Sequence, residues 1–162
     1  MKQSTKSAIK TYGIAIAIPL ALGILSALLT MKNMDLYTRV KTPPLSPPSV
    51  LFPIVWSILY VLMGVSSGLV WQKREIDPKN ADTGIAFYAV SLLFNFVWSI
   101  LFFNFELYLF SFFWLLILLG LILGTVLSYR KVSPAAAYLQ IPYAVWVAFA
   151  GYLNIGIWYL NK

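Results

Sequence analysis

VLFPIVWSILYVLMGVSSGLVW, Val50 to Trp71, runs for twenty-two residues without a charged side chain. Wound as an α-helix it is ~33 Å long, enough to cross the ~30 Å hydrocarbon core of a bilayer. It does not alternate at period two over strand length, so it does not read as a barrel strand. Four further runs share its character, and the five expected spans are approximately 8–31, 50–71, 85–103, 107–129 and 134–160. Charges and turn residues bound them: Lys6, Lys10 and Lys32, the polar stretch from Gln72 to Thr83, Asn104 to Glu106, then Arg130, Lys131 and Ser133. Pro134 suits the first turn of the last span, and Pro142 inside it should bend it.

Composition agrees with the runs. Hydrophobic residues make up 60% of the 162 and charged residues 10%, against ~25% charged in a soluble domain. So few charges cannot cover a water-soluble globule, and the expected fold is an all-α integral membrane protein, a single domain of five transmembrane helices. The first run has a basic start like a secretory signal. It is too long for an h-region and lacks a small-x-small cleavage site, so it reads as a retained helix. Cysteine and histidine are absent, which leaves no disulfide framework, no thiol chemistry and no imidazole or thiolate for a metal or haem iron. The +7 formal charge lies at span ends, where it orients a membrane protein, and does not point to nucleic acid.

Between the first two spans, residues 32–49 carry Asp35, Arg39, Lys41 and four prolines, Pro43, Pro44, Pro47 and Pro48. Paired prolines favour stiff, extended backbone, so this segment reads as an ordered loop over the membrane surface. With alternating spans, eight basic residues (Lys2, Lys6, Lys10, Lys73, Arg74, Lys79, Arg130 and Lys131) share the N-terminal side. Four (Lys32, Arg39, Lys41 and Lys162) share the other. The excess places the N-terminus in the cytoplasm and the proline loop outside; a bacterial cytoplasmic membrane is the expected location.

The five carboxylates, Asp35, Glu75, Asp77, Asp82 and Glu106, fall in loops or at span ends. An ion-coupled transporter needs an ionisable group near mid-membrane, so coupling of that kind is not expected. The embedded polar residues are neutral: Asn95, Ser99, Gln140 and Asn154. Three helical stripes combine them with aromatic rings: Phe52, Trp56, Tyr60 and Gly64; Ser91, Asn95, Trp98 and Phe102; Tyr143, Trp146, Ala150 and Asn154. Spacings of three and four put each set on one face. Such faces can line a pocket for a flat apolar ligand, but helix packing also explains them, and the residues alone favour packing. Trp71 and Trp158 read as interfacial, and Trp114 carries no expected role. Gly64-x-x-x-Gly68 and Gly120-x-x-x-Gly124 permit close helix approach within the bundle or between protomers.

Three segments carry a resemblance: PPLSPPSVLFPIVWSILYVLMG (Pro43–Gly64), NFVWSILFF (Asn95–Phe103) and VSPAAAYLQIPYAVWVAFAGYLN (Val132–Asn154). In order, spacing and five-span layout they resemble the TspO/MBR family, the bacterial tryptophan-rich sensory proteins and the mitochondrial translocator protein, or peripheral-type benzodiazepine receptor. The resemblance implies a TspO/MBR-like five-helix bundle with its pocket under the first loop, often a homodimer, binding porphyrins such as protoporphyrin IX and benzodiazepine-site ligands. It implies ligand-lining roles for Tyr37, Trp56, Tyr60, Asn95, Trp98, Tyr143, Trp146 and Ala150, and for these positions it reverses the preference for packing. Trp56 and Trp146 match the tryptophans tied to porphyrin chemistry in the family. Two departures stand out. Leu45 and Val50 occupy loop positions where many members carry tryptophan, and Ile155 replaces the tyrosine of the sterol-recognition segment of animal members.

The leading expectation is a sensor or binding protein for tetrapyrroles, with no resident cofactor. Arg39 and Lys41 are the candidate partners for porphyrin propionates at the pocket mouth. Without histidine or cysteine the pocket suits a metal-free macrocycle better than ligated haem. The alternatives are light-dependent porphyrin degradation, with Trp56 and Trp146 as electron donors and no acid, base or nucleophile, and facilitated transport of porphyrin or another small apolar molecule.

Overall fold

The computed structural model describes residues 5–162, of which five helices are long and apolar enough to cross a membrane. They are α1 (Thr5–Thr30), α3 (Leu51–Gln72), α4 (Pro78–Ser99), α5 (Tyr108–Val132) and α6 (Pro134–Leu160). Four-residue α2 (Leu36–Arg39) lies in the loop after α1. Lys2 lies outside the described residues.

Contacts between the long helices close a ring in the order α1, α3, α6, α5, α4 and back to α1. The α1–α4 seam is the most thinly packed of these neighbours. Gly64 settles how α1 meets α3: a Cβ there would lie 2.5 Å from the Ile16 Cα and 2.7 Å from the Ala15 carbonyl oxygen. Gly68 likewise receives the Tyr12 ring. The first small-residue motif therefore works inside the bundle. In the second, Gly124 packs on the Phe87 ring of α4, whereas Gly120 faces open space.

Three boundaries differ from the hydropathic runs, two of them for a local reason. The third span starts at Pro78, seven residues before Ile85, because Asp77 caps it: its carboxylate accepts the Asn80 backbone N–H at 3.2 Å and the side-chain amide at 2.6 Å. Proline at N1 and an Asp N-cap start a helix however polar its first turns are. Arg130 and Lys131 belong to the last turn of α5 instead of forming a turn of their own, where cations complement the helix C-terminus. Ser133 alone joins α5 to α6, extended at φ −154° and ψ 106°, as the residue before a proline prefers. The third difference follows α4, where Ile100–Asn104 widen into a π-helical turn. Helix α6 continues unbroken past Pro142.

The proline segment folds back over one end of the bundle. Pro43 fills the space beside Gly156, where a Cβ would lie 2.7 Å from its ring. The Tyr152 hydroxyl donates to the Pro44 carbonyl at 2.7 Å. Asn161 accepts the Lys41 N–H at 2.9 Å and donates to its carbonyl at 2.8 Å. Buried polar side chains tie the helices together, since unpaired groups are expensive away from water. Gln140 donates to Ser66, which donates to the Ala136 carbonyl. Trp98 donates its indole N–H to Asn154 at 3.1 Å, and Asn154 donates to the Tyr108 carbonyl at 2.6 Å.

Candidate functional site

Phe52, Trp56 and Tyr60 follow one another every four residues along α3, so their rings form a column beneath the proline loop. Trp56 and Tyr60 stack with centroids 5.5 Å apart. From α6, Tyr143 meets Trp56 edge-on at 6.2 Å and Trp146 meets Phe52 edge-on at 5.9 Å. From the loop, Tyr37 covers Phe52 at 5.0 Å. Tyr37 also touches Phe102 and Phe103, each at 6.4 Å. These two are sequence neighbours on the π-helical turn, whose wider winding lets both rings reach one partner. From α4, the Asn95 amide donates to the Tyr60 hydroxyl at 3.2 Å.

A cavity of about 190 Å³ opens beside this column, with Trp56, Tyr60 and Trp98 in its wall. Of the eight residues expected to line a pocket, these three do so directly. Asn95 and Tyr143 join through Tyr60 and Trp56, and Tyr37 and Trp146 through Phe52. Ala150 is a buried residue of the same core. Trp98 has already committed its N–H to Asn154 and offers the cavity only its ring, stacked on Phe102 at 5.2 Å. A whole side of the wall comes from α1, through Leu20, Gly23, Ile24, Ser26, Ala27 and Thr30. None of these was singled out in the sequence. The signal was there: Gly23 and Ala27 are a small pair at helical spacing, and a Cβ on Gly23 would run into the Tyr60 ring.

The electrostatics of the site are neutral. Two of its polar atoms, the Asn95 carbonyl oxygen and the Tyr143 hydroxyl, are buried without a hydrogen-bond partner. Nearer the surface, Arg39 is shared between Asp35 at 3.3 Å and Glu106 at 3.4 Å. Lys41 has no ion-pair partner among the described residues. Trp114 lies outside the site and packs on Phe94 at 4.3 Å, donating to the Phe94 carbonyl. Trp71 and Trp158 lie under the cations of Arg74 and Lys162 at helix ends.

The sequence profile of the TspO/MBR family matches residues 15–160, nearly the whole ring of helices. The chain belongs to the TspO/MBR family. It is 35% identical over 158 residues to the "Tryptophan-rich protein TspO" of Chlorobaculum tepidum, covering 94% of this chain and 97% of that one. It is 36% identical to the "Translocator protein" of Ovis aries, covering 78% and 75%, and 33% identical to "Protein CrtK" of Rhodobacter capsulatus, covering 77% and 78%. Family membership and the five apolar helices together make it an integral membrane protein. Leu45 and Val50, at loop positions where many family members carry tryptophan, point outward here, 84% and 65% exposed. They do not cover the cavity.

Proposed function

We propose that this TspO/MBR chain is a membrane-embedded binding protein for porphyrins and similarly flat, largely apolar ligands. The observation that carries the reading is the meeting of aromatic columns from α3, α4 and α6 beside a cavity walled by Trp56, Tyr60 and Trp98, with two unpaired buried polar atoms, on Asn95 and Tyr143, behind that wall. An unsatisfied buried group costs ~1–3 kcal/mol, and a ligand with matching donors or acceptors relieves that cost on binding. Stacking on Trp56 and Tyr60 supplies the apolar part. The 190 Å³ cavity falls below the ~300–1,000 Å³ usual for ligand sites, so a macrocycle enters only as Tyr37, Phe52 and Trp146 part, and the loop that carries Tyr37 is the element that moves. Of the two candidate mouth cations, Lys41 pairs with a propionate more readily than Arg39, which already serves two carboxylates. The same reading places the N-terminus in the cytoplasm of a bacterial cell and the proline loop outside, and pairs two copies as a homodimer.

The test is titration of the purified protein with protoporphyrin IX, read by quenching of tryptophan fluorescence. Saturable binding that weakens in Trp56→Ala and Trp146→Ala is expected; equal affinity in both variants removes the site. A second reading is favoured by the position of Trp56, whose ring stacks in the cavity wall: light-driven oxidation of the bound porphyrin by oxygen. The excited macrocycle takes an electron from the tryptophan and passes it to oxygen, and the superoxide adds to the ring as the tryptophan radical recovers an electron from the adduct. Bleaching under illumination no faster than that of free porphyrin ends that reading.

A further inference from the structure

A larger cavity lies at the other end of the bundle and shares no residue with the first. It is a groove of about 510 Å³ over the thinly packed α1–α4 seam, floored by α3. Its character changes along its length. Lys10 and Thr11 stand at the membrane-surface end, and Ile14, Ile18 and Leu92 form the wall toward mid-membrane. Lys10 to Ile18 spans eight residues, roughly 12 Å along α1, most of the ~15 Å that one leaflet contributes to the hydrocarbon core. The groove is therefore as deep as one leaflet, apolar where acyl chains lie and cationic where headgroups lie.

A second cation reinforces the charge at that end. Arg74 sits over the ring of Trp71, a groove-lining residue, at 4.4 Å. Among the described residues neither Lys10 nor Arg74 has an ion-pair partner. The nearby helix-capping carboxylate, Asp77, is engaged by Asn80. Two uncommitted cations above an apolar slot one leaflet deep complement a phosphodiester carrying net negative charge. We propose that this groove binds one anionic phospholipid of the leaflet on the N-terminal side, its chain along Ile14, Ile18 and Leu92 and its phosphate between Lys10 and Arg74.

Native mass spectrometry of the full chain, incubated in detergent with equimolar phosphatidylglycerol and phosphatidylcholine of identical chains, tests this. Each cation near a headgroup favours an anionic lipid about fivefold, so two give on the order of 25-fold. One phosphatidylglycerol per chain is expected, with the preference falling about fivefold in Lys10→Gln and retained in Lys10→Arg. Lys162→Gln, at the opposite end, is expected to change nothing. Equal retention of the two lipids overturns the proposal, as does an unchanged preference in Lys10→Gln. So does a lipid-free dimer cross-linked through positions 14 and 92, which would show a second copy covering the groove. Protoporphyrin titration of Lys10→Gln separates this site from the first: its affinity is expected to stay at the wild-type value whatever the lipid result.

Discussion

Asn95 ties the stability of the bundle to ligand binding in a way that can be measured. Its amide donates to Tyr60 at 3.2 Å, and its carbonyl oxygen is buried with no partner. In Asn95→Leu the interhelical hydrogen bond is lost, worth ~0.6 kcal/mol on average in membrane proteins and ~1.7 at most. The orphan oxygen disappears as well, which relieves ~1–3 kcal/mol. Asn95→Leu also leaves the Tyr60 hydroxyl without its partner, a penalty of similar size, so the variant is expected to be near neutral in the ligand-free protein, within ~1 kcal/mol. Tyr60→Phe relieves nothing: it leaves both ends of the amide unpaired and is expected to destabilise by ~1–3 kcal/mol. The double variant should be more stable than either single variant, because only there does no polar group remain to be stranded. The assay is unfolding of the four proteins in one detergent, followed by protoporphyrin titration of each. Asn95→Leu is expected to lose about tenfold in affinity, equivalent to ~1.4 kcal/mol, although its stability is little changed. Marked destabilisation of Asn95→Leu, or full retention of its affinity, would refute the assignment of its carbonyl as an unpaired handle for ligand.

The helix approaches yield a paired prediction. Gly64→Ala forces α1 away from α3 and should cost ~1–3 kcal/mol by overpacking, whereas Gly120→Ala, facing open space, should gain up to ~1 kcal/mol of helix propensity; thermal melts of both variants check the contrast. Hydrogen bonds from the Asn80 side chain and backbone hold the Asp77 carboxyl below its ordinary range. Its stabilisation of the start of α4 is therefore full above the unfolded value of ~3.9 and is lost as pH falls through the lower folded value; the advantage of wild type over Asp77→Ala in melts across pH should follow that course. At the pocket mouth, Lys41→Gln should weaken protoporphyrin binding about tenfold, the lower end of a charge-assisted hydrogen bond. Arg39→Gln should weaken it less, and a porphyrin without carboxylates should bind both variants as it binds wild type.

Much of the fold was readable because a charge-free run of bilayer length has few other solutions, and the three aromatic stripes could be read because helical spacing fixes their faces. What escaped the sequence depended on local capping or on distant partners. The polar turns from Pro78 to Gly84 hide from hydropathy, although Asp77 and Pro78 mark the helix start. The π-helical turn at Ile100–Asn104 has no residue signature, yet it turns Phe102 and Phe103 toward Tyr37. Arg39 reads as a free cation until the fold brings Glu106, 67 residues away, to its side. The α1 wall of the cavity escaped notice because Gly23 and Ala27 are small, and the contribution of Gly23 is the room it leaves for the Tyr60 ring.

The most direct test of the central claim is a structure of the protein with protoporphyrin IX bound. The macrocycle is expected against Trp56 and Tyr60, with a polar contact to Asn95 or Tyr143 and with Tyr37 displaced from Phe52. A porphyrin seated elsewhere, with the Trp56–Tyr60 stack and the Tyr37–Phe52 contact unchanged, would contradict it.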